Sequence, residues 1–129
     1  MKNVIVFLSL IFPGVLISSC TSQTAPSMQP KDFAENIKSE NVVVLDVRTP
    51  EEYKEGHIKG ATLANWQDPE KFKEGTSKLD KNKPVYVYCK AGVRGEKAAD
   101  WLTQNGFKEV VNLEGGIQSW IDAGKPVEK

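Results

Sequence analysis

Histidine and cysteine are scarce in this sequence: it carries one histidine, His57, and two cysteines, Cys20 and Cys89. A transition-metal site built from imidazoles and thiolates needs more of both. The carboxylates do not cluster at ligand spacing either, so no metal site is expected. A basic excess is also missing. Lys and Arg number 17 against 17 Asp and Glu, for a net charge of +0, which argues against a nucleic-acid partner because no surplus of cations is there to neutralise phosphates. No apolar run reaches the ~20 residues that a membrane-spanning helix needs. What is present is an ordinary composition, 40% hydrophobic and 26% charged over 129 residues. That suffices for a short leader and a single domain around one core.

The leader is residues 1–19. Lys2 is its positive start, and Val4 to Ile17 form an apolar run interrupted by Ser9, Pro13 and Gly14. The run ends in Leu16-Ile17-Ser18-Ser19-Cys20, which is similar to the lipobox of bacterial lipoproteins. That resemblance implies a signal peptide cut before Cys20, with the Cys20 thiol carrying a lipid that attaches the chain to the membrane of the cell envelope. No Asp follows the lipidated residue, so in a bacterium with two membranes the expected place is the outer membrane, facing the periplasm. Residues 20–30 then comprise Cys20 and a Ser-, Thr-, Gln- and Pro-rich stretch that reads as a flexible tether, and residues 31–129 are the domain. With Cys20 lipidated, Cys89 is unpaired, and an unpaired thiol in an exported chain is either inert and buried or kept for its chemistry.

Within the domain, strands and helices alternate. Lys31 to Lys38 is a short helix, and the apolar, β-branched run Val42 to Asp46 reads as a buried parallel strand. A helix over Pro50 to Lys54 follows, stopped by Gly56, then a short strand Ala61 to Ala64. The polar stretch Asp68 to Lys81 holds one or two loose helical turns, and Pro84 to Tyr88 is a third strand. Gly95 to Asn105 is a helix, Val110 to Leu113 a strand and Ile117 to Ala123 a final helix. The pattern predicts an α/β domain of three layers, a central and mostly parallel sheet flanked by helices, read as a monomer.

Cys89 follows the third strand directly, at the carboxyl end where such sheets bind ligands. The loop Cys89-Lys90-Ala91-Gly92-Val93-Arg94 leads into a helix, so its amides and the helix N-terminus can converge on an anion and favour the thiolate. Lys90 and Arg94 add positive charge, and Ala91 and Gly92 give the backbone room to curl. A cysteine at a strand end can also be a plain core residue; the basic, glycine-containing loop argues against that.

Four stretches resemble the single-domain rhodanese family of sulfurtransferases. They are Leu45-Asp46-Val47-Arg48-Thr49-Pro50-Glu51-Glu52-Tyr53, Gly56-His57-Ile58-Lys59-Gly60-Ala61, the loop Tyr88 to Arg94, and Leu113-Glu114-Gly115-Gly116-Ile117-Gln118-Ser119-Trp120, in the family's order and spacing. The resemblance implies a rhodanese-like fold with Cys89 as catalytic residue and Lys90, Ala91, Gly92, Val93 and Arg94 as the substrate-binding loop. Arg94 is five positions after Cys89, the short loop of the sulfurtransferases; related phosphatases and arsenate reductases use a loop one residue longer. It further implies that Cys89 carries a persulfide from a small donor such as thiosulfate to an acceptor such as cyanide, a thiol or an acceptor protein, with no cofactor. A non-catalytic module that carries persulfide or docks a partner is the alternative. Lys90 stands where many members have arginine, and Gly95 where many have serine or threonine.

Other residues are read more plainly. Asp46 and Arg48 support the site, either by a structural ion pair or by acting on it directly. His57 makes a structural hydrogen bond, Glu51 and Glu52 are helix-start carboxylates, Trp120 anchors the last helix, and Trp66 lines a rim. Gly115 and Gly116 shape a turn near the loop. An exported thiolate is open to oxidation, so Cys89 calls for a reducing partner.

Overall fold

The computed structural model describes residues 24–129, and Gly14 apart from them. The leader, the Cys20 lipid site and the first part of the tether therefore lie outside the described residues. In chain order the elements are β1 Ser27–Met28, α1 Pro30–Asn36, β2 Val43–Asp46, α2 Pro50–Glu55, β3 Thr62–Leu63, α3 Pro69–Ser77, β4 Val85–Tyr88, α4 Val93–Gln104, β5 Val110–Leu113 and α5 Gly116–Asp122. The strands form one sheet in the order β1-β5-β4-β2-β3, and every pairing between them is parallel. The expected α/β class holds. Both edge strands are two residues long, which leaves little unpaired backbone for edge-to-edge association.

Alternation along the strands sends side chains to two cores. Leu45, Val85, Val87 and Cys89 face one layer, where they meet Phe72 of α3 and Ala98, Ala99 and Leu102 of α4. Val44, Tyr86, Tyr88, Val111 and Leu113 face the other, against Phe33 of α1 and Ile117 and Trp120 of α5. Phe33 is fully buried and meets Tyr86 and Trp120 edge-on at centroid distances of 5.3 and 6.2 Å. Truncating it to alanine would cost about 3–5 kcal/mol. Trp120 is the anchor expected of it, and its indole Nε1 donates to the Pro126 carbonyl at 2.9 Å.

Several expectations need correction. The stretch read as flexible tether includes β1: Ser27 and Met28 stand in register with Asn112 and Leu113, Asn112 N donates to Pro26 O at 2.9 Å, and Ala25 N donates to Asp100 Oδ1 at 2.9 Å. Edge pairing supplies the backbone partners that the polar composition did not announce. The loose turns expected after Asp68 are a nine-residue helix. Asp68 caps it by accepting from Lys71 N, Pro69 opens it, and Phe72 and Thr76 bury one face. Helix α4 starts at Val93 rather than Gly95 because Gly92 takes a left-handed conformation, φ 106°, at its N-cap. Trp66 is half-buried, packs edge-on against Phe72 at 4.9 Å and borders a small recess with Pro69, Lys73 and Trp101, away from the clefts that Lys90, Ala91 and Gly92 line. Among the described residues, no helix is long and apolar enough to cross a membrane.

Candidate active site

Cys89 ends the β4 side-chain alternation and is 1% exposed. Its Sγ accepts a hydrogen bond from Gly92 N at 3.0 Å. The left-handed Gly92 turns that amide back onto the sulfur and starts α4. The first amides of α4 have no partner inside the helix, and Gly92 N is the amide that reaches the sulfur. The expected loop residues are brought together here, but they divide into two kinds. Lys90, Ala91 and Val93 are exposed, Val93 at 63%, whereas Gly92 and Arg94 are half-buried and hold the geometry.

Helix α5 fixes the floor of the loop. Ile117 N donates to Cys89 O at 2.8 Å and Gln118 N to Lys90 O at 3.0 Å. These amides approach because Gly116 has no side chain: a Cβ there would overlap the carbonyl oxygens of Cys89 and Lys90. Gly115 and Gly116 thus shape a turn at the loop, as expected, and the second also permits a backbone contact.

Arg94 is not a free charge beside the sulfur. Its Nη1 and Nη2 donate to Glu52 Oε1 and Oε2 at 2.7 and 2.9 Å. Glu52 is itself the N3 residue of α2, sharing a reciprocal cap with Thr49. Hydrogen bonding to Arg94, and then to Thr49, holds the Glu52 carboxyl down to about 2 against the opposing effect of burial. The Arg94 guanidinium is raised by the Glu52 hydrogen bond first, with a smaller contribution from Cys89. Glu52 therefore both opens a helix and orients the loop's arginine.

Asp46 and Arg48 form a buried structural unit. Asp46 is 0% exposed and accepts from Arg48 N at 3.0 Å, Arg48 Nη2 at 2.7 Å and the Tyr88 hydroxyl at 2.8 Å. Arg48 Nη2 also donates to Gly56 O at 2.7 Å. Tyr88 Oη accepts from Ile58 N at 3.0 Å. Both Asp46 oxygens, Arg48 Nε and Nη2 and the Tyr88 hydroxyl all have partners, as a buried charge pair requires. It lies under the strand end that presents Cys89, and Arg48 also borders the cleft beside the loop. His57 is structural in the same sense: its ring stacks on Tyr53 at 3.8 Å, Nδ1 meets Tyr53 O at 3.0 Å, and its backbone bridges to Glu128.

A cleft of about 230 Å³ adjoins the loop, bordered by Arg48, Glu52, Lys90, Gln118, Ile121 and Val127 among others. It offers Lys90 as an exposed cation and an apolar wall from Ile121 and Val127, which are 48% and 41% exposed. Among the described residues, no group of three or more His, Cys, Asp or Glu side chains is arranged to hold a metal ion. The residues that sequence reasoning missed are Glu52 as the partner of Arg94, Tyr88 as the partner of Asp46, and Asn112. Each pairing joins separate elements, so no local pattern could signal it.

Comparison with known proteins gives a consistent result. The Rhodanese-like domain family matches residues 29–123. A rhodanese-related protein from Thermoplasma volcanium superposes with a TM-score of 0.71 at 37% identity, over 80% of this chain and 97% of that one. A rhodanese-like domain protein from Staphylococcus aureus gives 0.67 at 30% identity, over 81% and 99%. Among curated proteins, the tRNA uridine(34) hydroxylase of Oceanobacillus iheyensis is 39% identical over 101 residues, 75% of this chain but 31% of its own length. The chain thus spans about a third of the curated relatives it matches.

Proposed function

Because the chain belongs to the Rhodanese-like domain family, we propose that it is a sulfurtransferase whose Cys89 carries sulfur as a persulfide. The observation that carries the reading is the Sγ of Cys89 at a strand end, 3.0 Å from an amide of a short loop that opens a helix. In the first step the Cys89 thiolate attacks the outer sulfur of a donor such as thiosulfate. The S–S bond of the donor breaks, sulfite leaves with the bonding pair, and Cys89 holds the sulfane sulfur. In the second step a nucleophilic acceptor, cyanide or a thiol, attacks that terminal sulfur and the Cys89 thiolate leaves. Splitting the transfer in two lowers each barrier, and the fixed amides of the loop and of the α4 start stabilise the anionic sulfur in both steps. The chain's own residues suffice for this chemistry.

The hydroxylase named among the relatives supports a different activity, but the similarity covers about a third of that protein. The balanced charge of this chain, +0 overall, also gives no general support for a tRNA partner. Sulfur transfer draws only on the shared part.

The proposal extends to location. The lipobox-like end of the leader supports export and lipid attachment at Cys20, and metabolic labelling with a fatty acid tests it: label on the wild type and none on Cys20→Ala is the expected result.

Turnover is tested with the full-length chain, thiosulfate and cyanide, beside Cys89→Ser, with intact mass recorded after donor alone. A gain of one sulfur and turnover, both lost in Cys89→Ser, is expected. An adduct without turnover would favour a persulfide-carrying module. Neither adduct nor turnover would sink the sulfurtransferase reading.

A further inference from the structure

Asn112 is the one described residue with a buried side-chain polar atom that finds no hydrogen-bond partner, its Oδ1. The residue is 3% exposed and lies on β5, facing α4. Its other amide atom is engaged: Nδ2 donates to Gly92 O at 3.3 Å. The same carbonyl accepts from Glu96 N at 2.9 Å as α4 begins, and the N–H of Gly92 is the donor to Cys89 Sγ at 3.0 Å. Both polar groups of Gly92 are thus committed, one to the reactive sulfur and the other to Asn112 and the helix. The orphan Oδ1 occupies the space where a side chain at Gly95 would begin: a Cβ built on Gly95 overlaps it, and the next neighbour is Cys89 N at 3.4 Å.

An unpaired buried carbonyl is destabilising, and an apolar side chain of the same volume would remove that cost. Packing alone therefore does not account for an amide at this position. We propose that Asn112 is a positioning residue for Cys89: its amide, seated in the gap left by Gly95, holds the Gly92 carbonyl and so aims the Gly92 N–H at the sulfur. The sulfur gains from a donor whose direction is fixed before the reaction, since no reorganisation is then needed as charge develops. Gly95 and Asn112 act as one unit, because a side chain at 95 and the amide at 112 compete for the same space.

This inference rests on the reading of Cys89 as the sulfur carrier, and its test separates the two. In the full-length chain, Asn112→Leu keeps the volume and removes both the tether and the orphan carbonyl. The expected outcome is an unfolding midpoint equal to or above that of the wild type, with persulfide formation from thiosulfate about five- to tenfold slower, the loss of one orienting hydrogen bond. The pH midpoint for iodoacetamide alkylation of Cys89 is expected to rise. Wild-type values for both the rate and the alkylation midpoint would overturn the proposal. Where the leucine variant does not fold, Asn112→Ala with Gly95→Ala restores packing without the tether. It is expected to be stable and slow, whereas a stable and fast double variant would reduce Asn112 to a space filler and overturn the proposal. If the wild type itself forms no persulfide, the sulfurtransferase reading fails, and the alkylation midpoints alone still decide for or against the tether.

Discussion

Arg94 and Glu52 meet in a two-point contact, 2.7 and 2.9 Å, that joins the start of α4 to the start of α2 beside the Cys89 loop. The pair is half-buried, with side-chain exposures of 22% and 24%, so solvent screens it less than an open surface pair. Arg94 therefore serves as a strut for the loop as well as a positive charge near it.

That contact sets a pH dependence. The Glu52 carboxyl titrates at about 2 instead of the ordinary 4.5. A group whose folded-state value is depressed contributes stability that is fully present above the unfolded value and disappears as pH falls through the folded one. The stability difference between the wild type and Glu52→Gln should be constant above pH about 5 and shrink from pH 4.5 towards 2. Urea unfolding at a series of pH values checks it, and a difference independent of pH would remove Arg94 as the partner that matters.

Asp46→Ala leaves the buried Arg48 guanidinium and the Tyr88 hydroxyl without their acceptor. The expected loss of stability is about 3–5 kcal/mol. A supporting role predicts that the fraction remaining folded at low temperature still forms persulfide on Cys89. A stable variant with no persulfide would instead give Asp46 a direct part in the reaction.

Lys90 takes part in none of the ion pairs among the described residues, and its side chain borders the cleft beside the loop. Lys90→Glu should raise KM for the thiosulfate dianion by about three- to tenfold at low ionic strength, with the effect shrinking as salt is added. Steady-state kinetics at two salt concentrations give the answer. A fall in kcat at constant KM would mean that Lys90 acts on the sulfur and not on donor capture.

Gly116→Ala should be far worse than Gly60→Ala. Both glycines are left-handed, φ 64° and 80°, and share a backbone strain of about 1–2 kcal/mol. A Cβ at Gly60 meets nothing within 4 Å, whereas one at Gly116 runs into the carbonyl oxygens of Cys89 and Lys90. Thermal unfolding of both variants should show the larger drop for Gly116→Ala. The same variant should also react faster at Cys89 with a bulky aromatic disulfide, because the loop loses its floor.

The legible parts of this protein are those encoded over a few consecutive residues. Val43–Asp46 and Val85–Tyr88 announce themselves as strands by their β-branched and aromatic runs, and the Cys89 loop by its glycine, its charges and the helix after it. Ser27–Met28 does not, because a two-residue edge strand is too short to show a pattern and is made by its neighbour's backbone. Helix α3 is less legible because its stability comes from the Asp68 cap and two buried side chains, Phe72 and Thr76, in an otherwise mostly polar stretch. The contacts of Glu52 with Arg94 and of Tyr88 with Asp46 bridge 42 residues each. Asn112 reaches Gly92 across 20. No spacing rule carries such information; only the register of the sheet brings those pairs together.

The parallel pairing of β1 with β5 also fixes a direction. All five strands run the same way, and Cys89 stands just past the end towards which they run. The chain joins the sheet late along that direction: Ser27 stands level with Asn112, which pairs with Val87 two residues before Cys89, and it borders the same recess as Ala91, Gly92 and Val93. The short β1 thus walls one side of the reactive loop, so that the start of the domain and its chemistry share one end of the sheet.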